Sequence, residues 1–92
     1  MDLGISGRTA LITGGSLGIG KATAAELAAE GVNVAIVARD RIRLEDAAQE
    51  LSSNTGGRVI GIAGDIGDAS DIARAVDEAS TALGGIDILV NN

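Results

Sequence analysis

Apolar runs and stretches of helical period alternate from one end of the chain to the other. Residues 9–13, 32–38, 59–63 and 86–90 are apolar almost throughout rather than at every second position, the pattern of parallel strands covered on both faces. Three helical segments separate them. The first runs from residue 18 to 30 and stops at Gly31, since glycine readily adopts the left-handed conformation that ends a helix. The second sets Leu44, Ala47, Ala48 and Leu51 on one stripe; Asp40 can cap its start, and Glu45 and Asp46 suit its positive end. The third carries Ile72, Val76, Ala79 and Leu83 as its apolar face, Ser70 or Asp68 as its cap and Gly84-Gly85 as its stop.

The order βαβαβαβ, with right-handed crossovers, predicts an α/β fold built on a Rossmann-like open parallel sheet. The doubly wound arrangement gives it the strand order 3-2-1-4. Two helices then cover one face and only the third covers the other, which leaves the fourth strand as an edge and part of one face bare. Residues 1–92 therefore read as one incomplete domain, the N-terminal half of a larger doubly wound one. No linker, low-complexity segment or repeat beyond the βα rhythm interrupts it.

Composition narrows the chemistry. Thirteen acids against seven bases, a net charge of −6 and no aromatic residue argue against a nucleic-acid surface, which needs a basic face and stacking rings. With no cysteine and no histidine, disulfides, thiolate metal sites and the commonest neutral-pH acid/base group are all missing. The longest apolar run, residues 34–38, is far too short to span a bilayer. Met1-Asp2-Leu3 lacks the basic start of a secretory leader. The expectation is a soluble, cytoplasmic chain without a membrane partner.

The most informative stretch is Thr13-Gly14-Gly15-Ser16-Leu17-Gly18-Ile19-Gly20, which joins the first strand to the first helix. Unsatisfied N–H groups and the helix dipole make such a junction attractive to phosphate. Gly14 can turn the chain out of the strand, Gly18 lets a pyrophosphate approach the backbone, Gly20 lets the helix lie close on the sheet, and Ser16 adds a hydroxyl donor. An ordinary glycine-rich turn would not need three glycines at these offsets. Residues 15–21 also match the G-x-x-x-x-G-K spacing of a P-loop, but Ala22 stands where magnesium needs a hydroxyl, and Thr23 is one position late. Lys21 is expected to face phosphate or solvent.

In a dinucleotide fold the end of the second strand faces the adenosine ribose, where an acid binds the 2′-hydroxyl of NAD and an arginine accommodates the 2′-phosphate of NADP. Ala38-Arg39 occupies that place, with Arg39 lying 19 positions beyond Gly20. A methyl group replaces the carboxylate and a guanidinium follows, so NADP is expected over NAD; the competing reading of Arg39 is a solvated surface arginine. Arg41 and Arg43 read as solvent-side partners for nearby acids. Asp65, at the end of the third strand, can accept a hydrogen bond from an adenine amino group or close its own loop. Asn91 and Asn92 flank the crevice beyond the fourth strand or form a turn.

Together, Thr13-Gly14-x-x-x-Gly18-Ile19-Gly20, Ala38-Arg39, Asp65-Ile66 and Asp87-Ile88-Leu89-Val90-Asn91-Asn92 resemble the N-terminal part of a short-chain dehydrogenase/reductase, most of all the 3-oxoacyl-carrier-protein reductase type. The resemblance spans the whole chain. It implies an oxidoreductase that passes hydride between a nicotinamide dinucleotide and a small carbonyl or alcohol substrate, and a homo-oligomer. It also implies that Gly14, Ser16, Leu17, Gly18, Ile19 and Gly20 line the pyrophosphate and nearby ribose, and that Arg39 selects NADP. Asp65 and Ile66 would bracket the adenine, with Asn91 beneath the cofactor. Leu17 departs from the NADP-preferring pattern, in which many relatives carry Arg or Lys there. The family's Tyr-x-x-x-Lys pair has no counterpart, because the chain holds no tyrosine and only one lysine, so catalysis is not expected of these residues alone. The alternative is a stand-alone, non-catalytic nucleotide-binding half-domain that pairs with another chain.

Overall fold

Four strands and three helices alternate along residues 4–14 and 18–91, the part of the chain that the computed structural model describes. They are β1 (Thr9–Thr13), α1 (Gly18–Ala29), β2 (Asn33–Ala38), α2 (Arg41–Thr55), β3 (Val59–Ala63), α3 (Ala69–Leu83) and β4 (Ile88–Asn91). The strands form one parallel sheet in the order β3-β2-β1-β4, as the alternating pattern requires. β1 is buried along its whole length, and β2 is buried at its four central positions. Their near-continuous apolar runs follow from this, since both sides of each residue pair face a helix layer.

On one face, Ala10 and Ile12 of β1 join Val34 and Ile36 of β2 and Val59 of β3 under α1 and α2. The helices supply Ala24, Ala28, Leu44, Ala47, Ala48 and Leu51, which include the stripe expected of α2. Leu44 lies so close to Gly61 that a β-carbon there would meet its Cγ at 2.8 Å. On the other face Leu11, Ala35, Val37 and Ile62 pack against Ala75 and Ala79 of α3.

The apolar face of α3 differs from the expected one. Ala75 replaces Val76 at the contact, and Val76 is 38% exposed. The volume of a side chain suggests which face is apolar, but a helix seated close on a sheet selects small residues at the point of nearest approach. Leu89, which pairs with Leu11 in the sheet, is 66% exposed, so the face of β4 beyond α3 is bare as anticipated.

Strand limits shift slightly from the sequence reading. β2 begins at Asn33 because the Val32 amide still donates to Leu27 of α1. β4 begins at Ile88, because the Asp87 carboxylate accepts from the Thr9 amide at 2.9 Å while the Asp87 amide donates to Thr9. A side chain thus closes the lower end of the β1–β4 ladder. Both predicted caps of α2 and α3 form. Asp40 accepts from the Arg43 amide, and Asp68 accepts from the amides of Ser70 and Asp71, while Gly56 and Gly84 end these helices in left-handed geometry.

The Ser70 hydroxyl, followed by the amides of Asp71 and Ser70, holds the Asp68 carboxyl below its usual 3.8. A depressed native value means that the unfolded chain binds more protons in the window between the two values. This contribution to stability is therefore complete above 3.8 and is lost as the pH falls through the lowered native value. Urea midpoints measured across the acid range are expected to fall more steeply for the wild type than for Asp68→Asn, which keeps an N-cap acceptor without the titration. Parallel curves would refute this account of the cap.

Candidate functional site

The carboxyl ends of the parallel strands converge on one side of the sheet, and the loops that leave them build the site. At the end of β1 the Gly14 amide donates to the Val37 carbonyl at 2.6 Å, which extends the β1–β2 ladder by one residue. Gly14 then turns the chain with φ +72°, a conformation that costs other residues about 1–2 kcal/mol. Gly18 opens α1 at φ +54°, and a β-carbon built on it would meet nothing within 4 Å. Among the described residues, nothing therefore crowds its backbone. Gly20 is buried, and Ile19 is 79% exposed beside it. Ser16 and Leu17 lie outside the described residues.

A cavity of about 240 Å³ opens where this loop passes the end of β2, lined by Gly14, Val37, Ala38, Arg39, Asp40, Arg43 and Ile66. Arg39 also borders a more open hollow with Ala63, Gly64, Asp65 and Asp71. The predicted residues Gly14, Arg39, Asp65 and Ile66 thus share two adjoining concavities. At the far side of β1, the Thr13 hydroxyl donates to Asn91 Oδ1 at 3.1 Å, which ties the exit ends of β1 and β4 together.

The β3–α3 loop is held from two directions. Asp65 Oδ1 accepts from the Gly67 amide at 2.9 Å, so the loop-closing reading of this aspartate is realised, with its second oxygen left for other donors. Its amide donates to Asp71 Oδ2, also at 2.9 Å. Arg74 completes the clamp. It donates to the Ala63 carbonyl at 2.7 Å and lies 3.9 Å from Asp71 and 2.8 Å from Glu78. Asp71 was not singled out from sequence. Its signal is an acid three residues after the cap Asp68, the spacing of a capping box, but it reaches back to Asp65 instead of to the cap's own amide.

One expectation about cations is corrected, that for Arg43. Lys21, expected to face phosphate or solvent, stands in an exposed ion pair. Its Nζ donates to Glu50 Oε2 at 2.6 Å across α1 and α2, because the second turn of α1 lies against α2. This removes the lysine on which a P-loop would depend. Arg43 borders the cavity instead of pairing with a surface acid, whereas Arg41 lines a separate hollow with Glu45, Arg74 and Glu78. Among the described residues no cluster of three or more His, Cys, Asp or Glu could hold a metal. None of the described helices is long and apolar enough to cross a membrane.

The family model of the short chain dehydrogenases matches residues 8–92. The chain belongs to that family. This short-chain dehydrogenase chain is 40% identical to general stress protein 39 of Bacillus subtilis over 96% of its own length and 31% of the relative's. It superposes with a TM-score of 0.95 and 44% identity on the L-sorbose reductase of Gluconobacter frateurii, solved with NADPH and L-sorbose; all of this chain and 35% of that one are covered. An actinorhodin polyketide ketoreductase solved with NADPH matches at 33% identity with a TM-score of 0.88, over all of this chain and 34% of its own. The chain thus spans about a third of the length of these relatives. The finer likeness to 3-oxoacyl-carrier-protein reductases rests on the sequence motifs alone.

The Asp71 clamp is open to a direct check. Asp71→Ala is expected to speed amide hydrogen exchange at Asp65 and to lower unfolding stability by about 1 kcal/mol, the size of one net hydrogen bond. Unchanged exchange at Asp65 would mean that the loop holds its shape without this contact.

Proposed function

We propose that this chain is the cofactor-binding segment of an NADP(H)-dependent short-chain oxidoreductase acting on a small carbonyl or alcohol substrate. The observation that carries this reading is the cavity at the end of β2, where Ala38 offers no carboxylate to a ribose and Arg39 offers an unpaired guanidinium. Among the described residues the Arg39 side chain has no ion pair or hydrogen bond. A fork of charged donors suits a phosphate dianion. The two similar proteins solved with NADPH support the same cofactor here.

In this reading the opening of α1 and the glycines Gly14, Gly18 and Gly20 hold the pyrophosphate, with Ser16, Leu17 and Ile19 along the same loop. Asp65 and Ile66 bracket the adenine, and Asn91 lies beneath the cofactor, fixed by Thr13. The cofactor supplies hydride chemistry at its nicotinamide. The residues of this chain bind and orient it. They include no tyrosine, and their one lysine is engaged with Glu50, so the proton donor for a carbonyl belongs to a further part of a longer protein. The length of the relatives and the 66% exposure of Leu89 fit residues 1–92 as the first half of a domain whose later helices cover β4. A cysteine-free, acidic composition fits a cytoplasmic enzyme with small-molecule partners. Self-association is expected of the whole protein.

Each charged hydrogen bond to the phosphate is worth about 1.5–3 kcal/mol, so Arg39→Ala is expected to weaken NADPH binding by about 10- to 100-fold. NADH binding should change little. Titration of both cofactors onto the full-length protein by calorimetry checks this. An equal loss for NADPH and NADH would refute the assignment of Arg39.

A further inference from the structure

We propose that Ser52 and Arg74 guard the free edge of β3, so that a second copy of this chain cannot add its own β3 to the sheet there. β3 has a partner strand on one side only. In the doubly wound arrangement further strands add beyond β4, which leaves β3 outermost in a longer protein too. Two hydrogen bonds decide which of its residues face outward. The Arg58 carbonyl accepts from the Val34 amide, and the Gly64 amide donates to the Ala38 carbonyl, so Arg58, Ile60, Ile62 and Gly64 turn their backbone groups toward β2. Val59, Gly61 and Ala63 therefore turn theirs to the outer side, a row of donors and acceptors that invites another strand.

Side chains already occupy most of that outer row. The Ser52 hydroxyl, in the last turn of α2, donates to the Val59 carbonyl at 3.1 Å and accepts from the Val59 amide at 3.2 Å. One side chain thus makes both bonds that a residue of an antiparallel neighbour would exchange with Val59. The backbone carbonyl of Ser52 separately accepts the Gly56 amide that ends the helix, a bond that does not depend on the hydroxyl. At the other end of the row, Arg74 Nη2 of α3 donates to the Ala63 carbonyl at 2.7 Å. Between them stands Gly61, which is exposed and, among the described residues, has no side chain bonded to its backbone. The hollow beside it, about 180 Å³, is bordered by Arg41, Glu45, Arg74 and Glu78. A strand laid along this edge has to break the bonds at both ends and strip water from charged groups on either side. One free rung at Gly61 does not offset that loss.

The test follows assembly of the full-length protein by sedimentation velocity, for the wild type, Ser52→Ala, Arg74→Ala and the double variant. Asp68→Ala is the control, since it loses a helix cap and leaves the edge untouched. Each variant is measured at the temperature where its folded fraction equals that of the wild type. The double variant is expected to form species larger than the wild-type assembly at concentrations about tenfold lower than the wild type requires, the effect of one net hydrogen bond. Each single variant should fall between the two, and Ser52→Thr, which keeps the hydroxyl, should behave as wild type. Amide exchange locates the contact. At Val59 and Gly61 it should be fast in the dilute double variant and slow down as the concentration rises. Assembly without that protection, equal assembly by Asp68→Ala, or no assembly at all would overturn the proposal. So would a Ser52→Thr variant that assembles as Ser52→Ala does. If the double variant does not fold, Ser52→Ala alone decides by the same two readouts.

Discussion

The hydrogen bond from the Gly14 amide to the Val37 carbonyl, 2.6 Å long, decides where the rest of the site can form. It carries the β1–β2 ladder one residue past the end of β1, so the loop to α1 cannot leave the sheet until it has reached the end of β2. Only then does the positive φ of Gly14 turn the chain. Arg39, two residues beyond Val37, is thereby brought beside the loop instead of being left on a distant edge. Without this extra rung, the glycine-rich opening of α1 and the guanidinium at the end of β2 would be features of two separate loops. With it Gly14 and Arg39 border one cavity.

The scaffold keeps that geometry by close packing more than by polar contacts. Gly20, Ala24 and Ala28 are the buried positions of α1, one per helical turn and all small, so the helix lies near the sheet and its first turn stands over the strand ends. α3 uses the same device on the opposite face through Ala75 and Ala79. In a core without aromatic rings each buried residue removes less apolar area from water, and tight approach recovers part of the missing contact. The polar ties are then confined to loops. Asp71 and Arg74 hold the turn after β3, Thr13 and Asn91 join β1 to β4, and Asp87 closes the lower end of the same pair.

How far the sequence reveals this depends on whether a residue's position is set locally. The strands are legible because β1 and β2 are buried on both faces, which forces uninterrupted apolar runs. The caps Asp40 and Asp68 are legible because a cap acts within three residues of itself. The strand order follows from crossover handedness, and the bare flank of β4 follows from the order. Val76 misleads because volume alone cannot say which of two neighbouring helical positions lies nearest the sheet. The ion pair of Lys21 is hidden from the sequence for a different reason. Its partner Glu50 lies 29 residues away on an element whose packing only the fold determines. Asp71 is missed because its spacing from Asp68 suggests a capping box, whereas its carboxylate reaches back to the Asp65 amide.

Electrostatics makes the local arrangement necessary. If the proposed cofactor binds, the net charge of −6 carried by these 92 residues opposes it at long range, but beyond about 8 Å that repulsion is screened at physiological salt. Within the cavity the balance inverts. Arg39 and Arg43 stand against Asp40 alone among the described residues that line it, and the opening turn of α2 adds its own partial positive charge. In the NADP reading, binding draws less on a general field than on groups in contact with the phosphate.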